Sequence, residues 1–173
     1  MTLLDRLKKI TTFVFDVDGV LTDGTVYVFP DKEFIRSMHT RDGFALQLAV
    51  KKGYRIVIIS GGNAVPVEQR LQGLGIRDVF MSIKNKENCL QTFLLEHQIP
   101  PDEILFMGDD IPDYDVMKIV GIAAAPADAV AEIKSISHYI STFTGGKGCV
   151  RDVIEKVMKL RGDWDVNTSL ASI

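Results

Sequence analysis

The 173-residue chain has only two cysteines and three histidines, all far apart. With no Cys or His pair at ligand spacing, neither a disulfide framework nor a zinc cluster is indicated. No stretch approaches the ~20 consecutive apolar residues of a membrane span. The N-terminal segment mixes Asp5, Arg6, Lys8 and Lys9 among its leucines, and the next apolar run stops at Asp16, so no secretory core can be drawn. A cytoplasmic protein with reduced thiols is expected, and the glycosylation-like triplet Asn167-Thr168-Ser169 reads as chance. Nor does one sign of charge dominate: 20 basic against 23 acidic residues leave a net −3. That balance argues against holding nucleic acid by neutralising phosphates, so any anionic ligand must be held locally.

What is present is a core: 46% hydrophobic residues and a mean hydropathy of +0.12. The length suits one domain, taken as residues 1–161 with a tail from 162 to 173. Thr11–Val17 and Tyr54–Ile59 are β-branched and almost continuously apolar, as strands covered on both faces are. Glu103–Met107 and Gly121–Ala123 read as two more strands. Helical patterns lie at Gly43–Lys51, Ala64–Leu74, Lys86–His97, Pro112–Ile119, Ala127–Ser135 and Gly148–Leu160. The alternation predicts an α/β fold with a doubly wound, Rossmann-like parallel sheet. One segment departs from it: Thr25–Met38 reads as a β-hairpin around Pro30-Asp31-Lys32, inserted after the first strand. Its Val26, Val28, Phe34 and Ile35 are many apolar residues for an insertion without a core, which predicts burial against another subunit. The tail has no period and is expected to be flexible unless docked.

Ligands of open parallel sheets bind beyond the carboxyl ends of the strands. There the chain places Asp16-Val17-Asp18-Gly19, then Ser60-Gly61-Gly62-Asn63, then Gly108-Asp109-Asp110-Ile111-Pro112-Asp113. Each alone has a structural reading, as turn, helix cap or solvated charge. Turns and caps do not explain why all of them, with a helix-opening lysine, fall at one edge of the sheet. Clustered carboxylates need a compensating cation, and oxygen ligands without His or Cys favour Mg²⁺ over Ca²⁺ or Mn²⁺.

The ordered set FDVDGVLTDG, ISGG, a lysine opening a helix, and MGDDIPD resembles the haloacid dehalogenase superfamily of phosphohydrolases, from about Thr11 to Ala125. The resemblance implies Asp16 as nucleophile, Asp18 as general acid/base, and Ser60, Gly61 and Lys86 as phosphate holders. Lys84 competes with Lys86; Lys86 is preferred because Asn85-Lys86 leads directly into the apolar stripe of its helix. Mg²⁺ would be held by Asp16, the Asp18 carbonyl and Asp109, with Asp110 and Asp113 orienting these ligands. Only the hairpin fills the first position where members carry a cap domain, and no cap is expected. The capless form is similar to the 3-deoxy-D-manno-octulosonate 8-phosphate phosphatases, implying a homotetramer and a sugar-acid phosphate substrate. Arg41-Asp42-Gly43-Phe44, Gly62, Arg70 and Gly145 to Asp152 carry that likeness, with Cys149 and Asp152 departing from its alanine and glutamate. Arg41, Arg70 and Lys147, with Gly62, are the candidate substrate contacts, and the tail could gate the site. The alternatives are a nonulosonate (KDN) 9-phosphate phosphatase, whose group tends to carry an acid where Gly62 stands, and a receiver-like or inactive binding domain. A receiver needs no second aspartate two residues beyond the first, so Asp16-x-Asp18 favours hydrolysis.

Overall fold

The computed structural model describes residues 2–30 and 34–165. The chain opens with α1 (Leu3–Lys9), whose first turn is closed by a reciprocal cap between Thr2 and Asp5. Next come β1 (Thr12–Phe15), the hairpin strands β2 (Tyr27–Val28) and β3 (Phe34–Ile35), α2 (Thr40–Lys51), β4 (Arg55–Ile59), α3 (Val65–Gly73) and β5 (Asp78–Phe80). The second half holds α4 (Lys86–His97), β6 (Ile104–Met107), α5 (Tyr114–Lys118), β7 (Ile122–Ala125), α6 (Ala131–Ile136), β8 (Tyr139–Ile140) and α7 (Cys149–Arg161). Six strands form one parallel sheet in the order β5-β4-β1-β6-β7-β8, and β2 pairs with β3 apart from it. No cap domain is present among the described residues.

The runs that read as near-continuously apolar serve two cores at once. Phe13 and Phe15 of β1, Ile56 and Ile58 of β4, and Leu105 and Met107 of β6 face one core with α2, α3 and α7. Their neighbours Val14, Val57, Ile59, Ile104 and Phe106 face the other with α4, α5 and α6. A period of two with both faces buried leaves few polar positions inside the central strands, which is why polar residues collect at their ends.

Several boundaries differ from the sequence expectations. The first strand stops at Phe15 instead of Val17, because the chain turns away just after Asp16. The helix expected from Pro112 is a 3-10 turn, Ile111–Asp113, followed by the short α5. The one expected from Ala127 begins at Ala131, since Ala127 N–H and Val130 N–H donate to Phe143 O and Asp109 O of other loops. Neither α1 nor β8 is apparent in the apolar pattern.

Of the expected tail, residues 162–165 are docked. Trp164 sits edge-on to Phe44 with the Arg151 guanidinium 5.4 Å from its ring, Tyr54 Oη donates to Asp163, and Lys52 pairs with Asp165 at 2.8 Å. Residues 166–173, including Asn167-Thr168-Ser169, lie outside the described residues.

Candidate active site

The strand order reverses at β1: the chain leaves it for β4 on one side and returns to β6 on the other. The carboxyl ends of β1, β4 and β6 therefore border one crevice, the switch point at which such folds bind ligands.

Asp16 prolongs β1 by one ladder bond, its N–H donating to Met107 O at 3.1 Å, and its Oδ1 accepts the Val17 N–H at 2.7 Å. The chain then winds through Val17–Leu21 with Gly19 at φ +89°. A β-carbon on Gly19 would lie 2.0 Å from Asp109 Oδ2, so both backbone angle and space demand glycine there. The glycine-rich 145–148 loop supports this turn from behind. Gly146 N–H donates to Val20 O at 2.9 Å, and a β-carbon on Gly145 would sit 2.0 Å from Gly19 O.

Ser60 follows β4, is 1% exposed, and accepts the Gly62 N–H on Oγ at 3.1 Å. Lys86 is the first residue of α4, whose start is capped by the Asn85 side chain. Its ammonium is buried, 2.9 Å from Asp16 Oδ1 and 2.7 Å from Asp113 Oδ1, whereas Lys84 is exposed at the rim of the same cleft. Beyond β6, Asp113 Oδ2 accepts the Asp109 N–H at 3.1 Å, and Gly108 leaves room for the Asp113 carboxylate. Asp110 is exposed and caps the following turn through Ile111 N–H.

Carboxylate oxygens of Asp16, Asp109 and Asp113 lie within 4.8 Å of one another. Asp113, expected from the sequence to stand behind the ligands, thus sits in the cluster. Burial, then the Asp113 charge, raise the Asp16 pKa to about 6 against the pull of Lys86. Burial followed by Asp16, Asp113 and Asp110 raises Asp109 to about 7. Burial opposes the charge on Lys86 as well, but Asp16 and Asp113 together outweigh it and hold its pKa above that of a free lysine. The buried Asp109 Oδ1 has no hydrogen-bond partner. An oxygen-only donor set with surplus negative charge and an unsatisfied carboxylate oxygen fits a hard divalent cation.

The cleft, about 320 Å³, is lined by Asp16, Asp18, Ser60, Gly61, Gly62, Lys86, Asp109, Asp110 and Asp113, among others. Three expected substrate cations do not line it within one chain. Arg41 and Lys147 border a separate depression with Phe143 and Arg151, and Arg70 borders a hollow beside the hairpin with Phe34 and Val65. One residue of the site was not anticipated. Arg36, just after β3, grips Asp18 with Nε to Oδ1 at 2.6 Å and Nη2 to Oδ2 at 3.0 Å. Nothing in local sequence announces this pair, which forms only when the hairpin folds back over the first loop.

Comparison with known proteins agrees with this architecture. Residues 77–153 match the haloacid dehalogenase-like hydrolase family. The 3-deoxy-D-manno-octulosonate 8-phosphate phosphatase KdsC of Escherichia coli K12 is 31% identical over 163 residues, 94% of this chain and 87% of that protein. The Moraxella catarrhalis 3-deoxy-D-manno-octulosonate 8-phosphate phosphatase, solved with magnesium, phosphate and KDO, superposes with a TM-score of 0.90 at 28% identity, covering 92% of both chains. The cobalt-bound deoxy-D-mannose-octulosonate 8-phosphate phosphatase of Haemophilus influenzae gives 0.87 at 27%, covering 91% of this chain and 92% of that one. The capless sheet, the carboxylates at its switch point and these likenesses agree: this chain is a phosphatase and belongs to the KdsC-type family of haloacid dehalogenase-like hydrolases.

Proposed function

We propose that the protein is a Mg²⁺-dependent phosphomonoesterase that removes phosphate from 3-deoxy-D-manno-octulosonate 8-phosphate, on the way to a lipopolysaccharide sugar, through an aspartyl phosphate on Asp16. The observation that carries this reading is the Asp16 carboxylate at the end of β1, with an ammonium at 2.9 Å on one side and the Asp109 and Asp113 oxygens within 4.8 Å on the other. In the first half-reaction an Asp16 oxygen bonds to phosphorus, the phosphorus–oxygen bond to the sugar breaks, and Asp18 gives its proton to the departing alkoxide. In the second, Asp18 takes a proton from water, the water oxygen bonds to phosphorus, and the Asp16–phosphorus bond breaks to release phosphate. Ser60, the Gly61 region and Lys86 hold the phosphoryl oxygens and offset their charge as it shifts. Asp16, Asp109 and the Asp18 carbonyl would hold the cation, with Asp113 in the same cluster fixing Lys86 and the Asp109 backbone. When bound, Mg²⁺ supplies further compensation for the phosphoryl charge.

Gly62 supports the eight-carbon substrate over the nine-carbon one. A β-carbon there would lie 3.3 Å from Asp18 Oδ2 and 3.4 Å from Arg36 Nη2, so an acidic side chain would have to push that pair aside by a few tenths of an ångström. The protein acts as a cytoplasmic homotetramer in this reading. The support is the hairpin, whose Tyr27, Val28 and Phe34 are 57%, 70% and 54% exposed in the single chain and would be covered by another copy.

The test is phosphate release, with and without Mg²⁺, from eight-carbon and nine-carbon keto-acid phosphates and from hexose phosphates. A Mg²⁺-dependent preference for the eight-carbon ester is expected. Preference for a hexose phosphate would overturn the substrate, and activity in Asp16→Asn would overturn the chemistry.

A further inference from the structure

The hairpin has so far only an apolar role, yet it also brings a charge into the cleft. Arg36 leaves β3 pointing inward and its side chain is 9% exposed. Its fork engages both oxygens of Asp18, and Thr22 Oγ1 stands 3.4 Å from Asp18 Oδ1 as a further donor. Arg36 Nη1 reaches back to Phe34 O at 3.3 Å, tying the fork to the hairpin backbone. Two parallel N–H···O bonds define both the position and the plane of a carboxylate, which a single hydrogen bond does not. Asp18 otherwise sits on a glycine-flanked turn, with 32% of its side chain exposed and no helix or strand to restrict it.

We propose that Arg36 is a positioning residue that holds the Asp18 carboxylate in register for proton transfer, so that the hairpin completes the proton-transfer site in the absence of a cap. The inference rests on the proposed role of Asp18 and deepens it. It also explains the space kept at Gly62, since a β-carbon there would press on Asp18 Oδ2, Arg36 Nη2 and Ser60 Oγ together, at 3.3–3.4 Å.

Leaving-group dependence tests it. A sugar alkoxide needs a proton to depart, and nitrophenolate does not. In Arg36→Gln, kcat for the eight-carbon phosphate should fall by tenfold or more, within the roughly 10²–10⁴-fold that general acid catalysis supplies. For formation of the phosphoenzyme from p-nitrophenyl phosphate, read as the pre-steady-state burst, the fall should be under threefold. KM should stay within threefold, and Arg36→Lys should recover part of the lost kcat. On an Asp18→Asn background, Arg36→Gln should add no further loss, as expected of residues acting through one another. Should Arg36→Gln fold poorly, Gly62→Ala, which crowds the pair, should give the same leaving-group signature. Equal losses on both esters, a rise in KM alone, additive losses in the double variant, or no change would each overturn the role of Arg36. Those outcomes leave the parent reading intact as long as Asp16→Asn is inactive and Asp18→Asn shows the leaving-group dependence. If Asp18→Asn lacks that dependence, the parent reading fails instead.

Discussion

The cleft and the hairpin of this chain are opposites in how they are built. The cleft concentrates charge where water is scarce: Asp16 is 8% exposed, Lys86 5% and Asp113 1%, with Lys86 bridging the two carboxylates. The hairpin leaves Tyr27 and Val28 of β2, Phe29 just after it, and Phe34 and Ile35 of β3 in the open, the two short strands pairing with each other. The cleft is costly in electrostatics and overdetermined in geometry, with four chain segments fixing it. The hairpin is underdetermined until something covers it. Substitutions in the first should thus change chemistry and local charge balance, and in the second, association. Arg36 joins them.

The largest expected effect is on Asp16. Asp16→Asn should lower phosphate release on the order of 10³-fold or more, as loss of a nucleophile does, without lowering the melting temperature, because a carboxylate strained by burial and by Asp113 is removed. Steady-state kinetics with a thermal melt checks both halves. Lys86→Met comes next. It strands Asp16 and Asp113 without their cation, and unfolding in urea near pH 8 should show about 3 kcal/mol of lost stability, alongside loss of activity. Stability within error of the wild type would mean that the ammonium does not balance the cluster.

Saturating Mg²⁺ should raise the melting temperature by roughly 5 °C, and Asp109→Asn should abolish most of that rise; calorimetry of both proteins decides. A hairpin charge, Val28→Glu or Phe34→Glu, should instead weaken self-association by on the order of tenfold or more while far-UV circular dichroism stays that of the folded chain. Sedimentation velocity measures it, and unchanged association would remove the hairpin from the interface. The smallest effect lies away from both regions. Neutral His138 accepts the Ala123 N–H on Nδ1 at 3.0 Å, and burial, then the charge of Arg6, hold its pKa below the usual histidine value. With the folded-state pKa below the unfolded one, its contribution is present above about pH 6.5 and is lost as the pH falls below that. His138→Gln should flatten that shallow acid limb in pH-dependent melts and leave both cleft and hairpin behaviour alone.

The same contrast governs what could be read from sequence. The strands β1, β4 and β6 were legible because burial on both faces writes itself as unbroken apolar runs. The cleft was legible because polar residues just past such runs have one place to go; Asp16, Ser60, Lys86 and Asp109 all meet there. Lys86 was separable from Lys84 because Asn85-Lys86 leads directly into the apolar stripe of a helix, and the helix does begin at Lys86. Features depending on contacts between distant segments were not legible. The Arg36–Asp18 pair spans 18 residues and depends on how the hairpin folds back. The glycines of the 145–148 segment carried only a family likeness in the sequence, whereas in the fold the backbone of Gly145 and Gly146 braces the Gly19 turn. Helix α1 buries only Leu7 and so has no apolar stripe; its Thr2–Asp5 cap was the available signal.

The most direct test of the central claim, covalent catalysis by Asp16, is to trap the intermediate. Asp18→Asn, mixed with p-nitrophenyl phosphate and Mg²⁺, should release nitrophenolate in a burst near one equivalent and then stall. Acid quenching, digestion and mass spectrometry should then find the phosphoryl group on the peptide that carries Asp16. Steady release without a burst and with no phosphoryl group on that peptide, or a phosphoryl group on another residue, would contradict it.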